Sequence, residues 1–351
     1  MNKRIIIMAG GTGGHVFPAL AVAQSLAEKG WQVSWLGTKK GLESRVIPEN
    51  GIDIDWLSVA GVRGKGLLSK VSALFRLITA CVQSVKVMIK RKPDVVLGMG
   101  GFVAGPGGLM AKMLGIPLII HEQNRVPGTT NRLLAKIANR VLEAFPDSFN
   151  KKVNAQCTGN PLRKAFLNVP EKQTKLENKA VQILIVGGSQ GAKILNDCVP
   201  EAVAEIPSVQ VIHQTGSSMR DQVEASYKAL GVHAEVKDFI SDMVSTYQWA
   251  DLIICRAGAM TISEVAAIGV PAILIPLPGA IDDHQTANAK YLTDAGAGRI
   301  LAQKDLNKTT LVTAINEMLN HLEPMSKAAK QSARLDATEV VVGYCKAEAG
   351  L

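Results

Sequence analysis

At 351 residues, 47% of them hydrophobic, the chain is long enough for two packed domains, and no run approaches the ~20 apolar residues that a membrane-spanning helix needs. The net charge of +9 is uneven: residues 1–160 hold 21 Lys and Arg against 9 Asp and Glu (+12), and residues 161–351 hold 18 against 21 (−3). A basic excess in one half points to an anionic partner of that half. Five scattered cysteines without a CxxC, and a predicted strand too near the start for a signal peptide, point to a reduced, cytosolic setting.

The first predicted element is the strand Lys3–Ala9, which breaks into Gly10-Gly11-Thr12-Gly13-Gly14-His15 and a helical pattern. Strand, glycine loop and helix in this order begin a doubly wound α/β domain. The glycines are not a dinucleotide fingerprint, because Val16 stands where a third glycine belongs and the next strand, Gln32–Leu36, does not end in an acid. No GK[ST] follows, which excludes a P-loop. What remains is a set of backbone N–H groups at a helix start, a seat for phosphate, or simply a tight turn. His15 falls in the first turn, where the helix dipole favours the neutral imidazole that a general base needs; an ordinary polar residue at a helix start is the simpler alternative.

From Lys65 to Lys92, apolar residues at Leu67, Leu68, Val71, Leu74, Phe75, Ile78, Val82 and Val85 recur at helical spacing, fringed by Lys65, Lys70, Arg76, Lys86 and Lys90. The pattern predicts a basic amphipathic helix ending before Pro93. Its stripe either packs into a core or lies on an anionic membrane; no acid interrupts residues 56–93, which favours the membrane. With aromatics at 4%, nucleic acid is not expected.

Next comes the strand Asp94–Leu97, then glycines and a helix, then Gly115–Ile120 running into His121-Glu122-Gln123-Asn124, which is not the HExxH of a zinc site. The second half repeats the plan: Val181–Val186 breaks into Gly187-Gly188-Ser189-Gln190-Gly191-Ala192, and Asp251–Ile254 leads through Arg256-Ala257-Gly258 and a helix to Gly269–Leu274. These strands lack polar alternation, as parallel strands covered on both faces do. Thr261-x-x-Glu264 fits a capping box; alternatively Glu264 accepts from a ribose diol while nearby amides meet a diphosphate. Asp282-Asp283-His284 has no companion cluster, so no protein-held metal is expected.

Together GGTGGHVFPALAVA at 10–23, LGMGGFVAGPGG at 97–108, HEQN at 121–124, GNPLR at 159–163, GGSQGA at 187–192 and CRAGAMTISE at 255–264 resemble, in order, the signatures of the MurG-type UDP-N-acetylglucosamine:lipid I N-acetylglucosaminyltransferases. The resemblance implies an α/β, GT-B fold, with two Rossmann-like domains whose parallel sheets face a central cleft. Residues 1–160 would form the acceptor and membrane-facing domain and 161–335 the donor domain, with a helix at about 336–351 packing back on the first. The implied reaction is inverting transfer of GlcNAc from UDP-GlcNAc to the C4 hydroxyl of MurNAc in lipid I, giving lipid II at the cytoplasmic face of the inner membrane.

The resemblance also assigns residues. His15, or alternatively Glu122, would be the base. Thr12, Gly13, Gly14 and Asn124 would close on the donor. Arg163, Ser189, Gln190 and Gly191 would meet the diphosphate, Ile240 the uracil through its backbone, Ala259, Met260, Thr261, Ile262 and Ser263 would line the site, Glu264 would hold the ribose and Gln285 the sugar hydroxyls. Lys65, Lys70, Val71, Leu74, Phe75 and Ile78 would face membrane and acceptor. Phe102 stands where family members often carry tyrosine, so no hydroxyl contact is expected there. No cofactor is implied beyond a loosely associated divalent cation; the partners are UDP-GlcNAc, lipid I, an anionic membrane and other cell-wall synthesis or division proteins. Competing readings are another GT-B enzyme, such as a glycolipid-forming UDP-sugar transferase or a 2-epimerase, and an inactive nucleotide-sugar-binding protein.

Overall fold

A computed structural model describes residues 3–58, 67–170, 180–188 and 191–351, excluding the side chains of 67–72 and 281. Lys65, Ser189 and Gln190, and the side chains of Lys70 and Val71, therefore lie outside the described residues. The chain divides into two units, residues 1–163 with 334–351, and residues 164–333.

The first unit runs β1 (Arg4–Met8), α1 (Gly13–Glu28), β2 (Gln32–Gly37), α2 (Glu43–Glu49), β3 (Asp53–Trp56), α3 (Leu67–Arg91), β4 (Val95–Gly98), α4 (Ala104–Met113), β5 (Leu118–Glu122), α5 (Thr129–Leu134), β6 (Arg140–Glu143) and β7 (Gln156–Cys157). Its strands form one parallel sheet in the order β3-β2-β1-β4-β5-β6-β7. Ile5, Ile7, Val95, Leu97 and Ile119 face one core with α1, while Ile6, Met8, Val96, Leu118 and Ile120 face the other with Met88 and Ala104. Burial on both faces is why these strands read as unbroken apolar runs.

The second unit runs β8 (Val181–Val186), α6 (Lys193–Val203), β9 (Val209–Gln214), α7 (Arg220–Ala229), β10 (Ala234–Lys237), α8 (Met243–Trp249), β11 (Leu252–Cys255), α9 (Ala259–Ile268), β12 (Ala272–Leu274), α10 (His284–Asp294), β13 (Gly298–Ile300), α11 (Lys308–Leu319) and α12 (Leu322–Ser332). Its sheet is also parallel, in the order β10-β9-β8-β11-β12-β13. Both orders are that of the Rossmann fold. The last helix, α13 (Ala337–Glu348), belongs to the first unit: Val341, Val342 and Cys345 enter its core beside α1, and Ser25 donates to Glu339 at 2.7 Å.

Candidate functional site

In each sheet the crossovers leave the first and fourth strands in opposite directions, and the crevice beyond those strand ends is where doubly wound folds bind ligands. In the first unit the loops after β1 and β4 meet there. Gly101 (φ +80) packs directly on Gly10, so a Cβ would overlap the Gly10 backbone, and a Cβ on Gly100 (φ +99) would stand 2.8 Å from His15 Nδ1. Thr12 is the N-cap residue of α1, with Gly13 and Gly14 in the first turn and His15 beside them.

Gln123 lies behind the His15 ring. Its side-chain oxygen is 2.6 Å from His15 Nδ1, and its nitrogen is 2.9 Å from the His121 carbonyl oxygen and 3.0 Å from His121 Nδ1. His121 is fully buried at the end of β5, with Nε2 3.0 Å from the Gly159 carbonyl. Burial lowers its pKa to about 4 against the opposing pull of the Gly159 carbonyl and the Glu122 charge, so the ring is neutral at pH 7.

Glu122 faces away from this line. It is 1% exposed and accepts from Asn124 N, Asn124 Nδ2, Gly128 N and Asn131 Nδ2 at 2.9, 3.2, 3.1 and 2.9 Å. A buried carboxyl group meeting four donors folds the loop after β5, which favours His15 over Glu122, the alternative base. The first glycine loop also differs from the expected open phosphate seat, because the Gly11 amide already donates to the buried Glu43. Beside it is a cavity of about 620 Å³ lined by Lys39, Lys40, Arg76, Trp56 and Phe102, a basic and partly aromatic recess. The Arg163 guanidinium lies 5.8 Å from the Phe17 ring centre within the same unit, a cation–π contact and not an isolated charge.

In the second unit the loops after β8 and β11 occupy the equivalent crevice. Gly191 (φ +72) packs against the Thr215 carbonyl, which accepts from Asn196 Nδ2 at 3.0 Å, and Gln214 Nε2 donates to the Gly188 carbonyl in the loop at 2.9 Å. The helix α9 starts with Gly258 as N-cap, so Thr261 is its third residue and the expected Thr261–Glu264 capping box is absent. Along 259–264 the Ala259 and Ile262 side chains are buried, so the expectation that they line a site fails for those side chains; Met260, Thr261, Ser263 and Glu264 are partly open. Glu264 Oε2 accepts from Tyr247 Oη at 3.4 Å, and Tyr247 packs on Phe166, centroids 6.1 Å apart.

Gln285 uses its oxygen on the backbone amides of Leu277 and Ala257 at 2.9 and 3.3 Å, leaving its side-chain nitrogen as the donor it can offer. Arg256, to which the sequence assigns no role, donates to the Ile275 and Pro276 carbonyls at 3.1 and 3.3 Å; burial lowers its pKa. The Ile240 side chain is buried, so only its backbone can serve a ligand, while the neighbouring Phe239 is exposed. Asp282 and Asp283 form a left-handed turn before α10, with Asp283 accepting from Thr286 at 2.8 Å.

The stripe of α3 resolves into two faces. Ala80, Ser84 and Met88 are buried, whereas Leu74, Phe75, Leu77, Ile78 and Val82 face outward, Phe75 at 73% exposure, so the core alternative fails for them. α4, which packs on α3, and α5, which packs on α4, add Leu109, Met113 (72% exposed), Leu114 and Leu133, residues that the sequence reading missed. Among the described residues no helix is long and apolar enough to cross a membrane.

Residues 5–143 match the glycosyltransferase family 28 N-terminal domain and residues 182–341 the glycosyltransferase family 28 C-terminal domain. The chain is 55% identical, over the full length of both, to the UDP-N-acetylglucosamine--N-acetylmuramyl-(pentapeptide) pyrophosphoryl-undecaprenol N-acetylglucosamine transferase of Methylococcus capsulatus. The crystal structure of MurG from Acinetobacter baumannii superposes with a TM-score of 0.86 at 42% identity, covering 98% of this chain and 99% of that one. A glycosyltransferase of kitacinnamycin, at 16% identity and a TM-score of 0.76 over 99% of both chains, shares the fold alone. The two Rossmann-like units thus carry the GT-B fold. The chain belongs to glycosyltransferase family 28 and, within it, to the MurG-type N-acetylglucosaminyltransferases.

Proposed function

We propose that the protein transfers GlcNAc from UDP-GlcNAc to the MurNAc C4 hydroxyl of lipid I, with inversion, to form lipid II for peptidoglycan. The observation that carries this reading is the 55% identity, end to end, to a relative named for that activity.

The chemistry of the residues supports a division of labour. The second unit holds the donor: amides of the loop after β8 and the start of α9 receive the diphosphate, and their fixed dipoles stabilise the charge that develops as UDP leaves. Glu264, held by Tyr247, takes the ribose diol, and Gln285 offers its nitrogen to the sugar. The first unit supplies the acceptor side, with His15 taking the C4 hydroxyl proton as that oxygen attacks the anomeric carbon. A divalent cation would arrive loosely with the nucleotide; among the described residues no group of three or more His, Cys, Asp and Glu side chains is gathered to hold one.

The outward apolar residues of α3, α4 and α5, fringed by Lys86, Lys90, Lys112 and Arg132, support peripheral attachment to the anionic cytoplasmic face of the inner membrane. The deciding experiment is incubation of the purified protein with radiolabelled UDP-GlcNAc and membrane lipids, with and without lipid I. Label should enter a lipid product only when lipid I is present. Label transferred to another glycolipid, or free monosaccharide released without an acceptor, would overturn the assignment.

A further inference from the structure

We propose that Gln123 is a positioning residue that fixes the tautomer of His15, so that Nε2 presents the lone pair that receives the acceptor proton. The inference rests on the reading of His15 as the base.

The direction of the relay follows from which atoms are able to donate. One end of the Gln123 amide faces the His121 carbonyl oxygen at 2.9 Å, and a carbonyl oxygen only accepts, so that end must be the NH₂ group. The same nitrogen is 3.0 Å from His121 Nδ1, which must therefore hold a lone pair. A neutral ring with its lone pair on Nδ1 carries its hydrogen on Nε2, where the Gly159 carbonyl accepts it at 3.0 Å and Thr158 Oγ1 lies at 3.1 Å.

At the other end Gln123 Oε1 has only lone pairs to offer, so His15 Nδ1, 2.6 Å away, must be the protonated nitrogen. With Nδ1 committed, the neutral His15 ring has its remaining lone pair on Nε2. The contacts are mutually dependent: reversing the amide sets oxygen against the His121 carbonyl. Burial makes the arrangement stiff, since His121 and Gln123 are 0% and 1% exposed.

The Gln123 link is itself uncharged. A carboxylate in place of Gln123 would also hold Nδ1–H, but it would favour the imidazolium, which is not a base, and it would put an oxygen against the His121 carbonyl. An amide orients the ring without adding charge. Gly100 completes the arrangement by leaving room beside His15 Nδ1.

Long-range proton–nitrogen spectra of the histidine-labelled full-length protein at pH 7.5 test this directly, with His15 and His121 identified by single substitutions. His15 is expected in the Nδ1–H form and His121 in the Nε2–H form. In Gln123→Met, His15 should shift toward the Nε2–H form, and kcat should fall about tenfold or more with the donor KM within about twofold, as for loss of base orientation. His15 in the Nε2–H form in the unsubstituted protein would overturn the proposal, as would a folded Gln123→Met variant with unchanged tautomer and kcat. Should that variant not fold, the spectrum of the unsubstituted protein decides alone. A His15→Ala variant with near-normal turnover would instead overturn the base reading, while leaving the tautomer result intact.

Discussion

The Gly11 amide donates to Glu43 Oε2 at 2.9 Å, 32 residues along the chain, and Glu43 Oε1 accepts from the Thr38 amide and hydroxyl at 2.9 and 2.7 Å. Glu43 is fully buried, and glycines make room for it: a Cβ on Gly10 would stand 2.7 Å from Oε1, and one on Gly37 2.8 Å from Cγ. The first glycine loop carries its own acceptor at this amide. A lipid phosphate arriving at this unit therefore meets other groups, and Lys39, Lys40 and Arg76 around the neighbouring cavity are the cations at hand.

Glu43→Gln should consequently lower stability, because an NH₂ replaces an acceptor among three donors; the loss expected is about 1–3 kcal/mol. Urea unfolding followed by tryptophan fluorescence measures it, with Trp35 fully buried in the first unit as reporter. Unchanged stability together with tighter phosphate binding would mean that the Gly11 amide serves a ligand after all.

His15→Ala should lower turnover by about 10²-fold or more, as removal of a general base does, with affinity for UDP little changed. Steady-state kinetics on a short-chain lipid I analogue, alongside UDP titration, separates the two quantities. Turnover within a few-fold of the parent would remove His15 from the role.

The two strand–glycine–helix starts are legible from sequence because each crossover begins in a run of consecutive apolar residues that only a doubly covered parallel strand needs. The short outer strands β3, β7 and β13 escape, because two to four residues carry no periodicity. His15 and Gln123 both stand in readable motifs, yet their pairing spans 108 residues and depends on β1 and β5 flanking β4 in the sheet. Glu43 is invisible for the same reason: nothing in Gly41-Leu42-Glu43-Ser44 states that its side chain will turn toward Gly11. Thr261–Glu264 misleads in the opposite way, since a local pattern matches a cap while the helix starts three residues earlier at Gly258.

That displacement makes Glu264 testable. With Gly258 as N-cap, Glu264→Ala removes no capping bond; it does remove an acceptor of Tyr247 Oη, but at 3.4 Å that bond is long and weak, so thermal stability should stay within about 1 kcal/mol of the parent. Loss of two charged hydrogen bonds to the ribose should raise the donor KM by about 100-fold or more. A large fall in melting temperature with unchanged donor KM would give Glu264 a purely structural role.

Two buried histidines should make the protein acid-sensitive. Burial lowers the pKa of His121 to about 4 and that of His213 to about 3, the latter beside Tyr227 Oη at 2.9 Å. Below the unfolded value of about 6.5 the unfolded chain binds protons that the folded chain does not, so stability falls as pH drops from 6.5 toward 4 and 3. Between pH 7.5 and 5 the loss should be about 2 kcal/mol per histidine. Denaturant unfolding at the two pH values measures it, and a His213→Gln variant should lose about half of the pH dependence. A flat profile would mean that other groups compensate.

The last expectation concerns the membrane. Phe75 and Ile78 on α3 and Met113 on α4 are exposed at 73%, 54% and 72%, so replacing all three with serine leaves the buried Ala80–Ser84–Met88 face of α3 in place and should cost little stability. Each buries apolar area at a bilayer surface worth about 25 cal/mol per Å², so their joint removal should weaken binding to vesicles containing anionic lipid by at least about tenfold. Flotation with and without 0.5 M salt separates the apolar contribution from that of the lysines. Activity on a detergent-solubilised short-chain acceptor should remain, because these side chains stand outside the His15–Gln123–His121 line. If the triple variant floats as the parent does, the bilayer contact lies elsewhere on the chain.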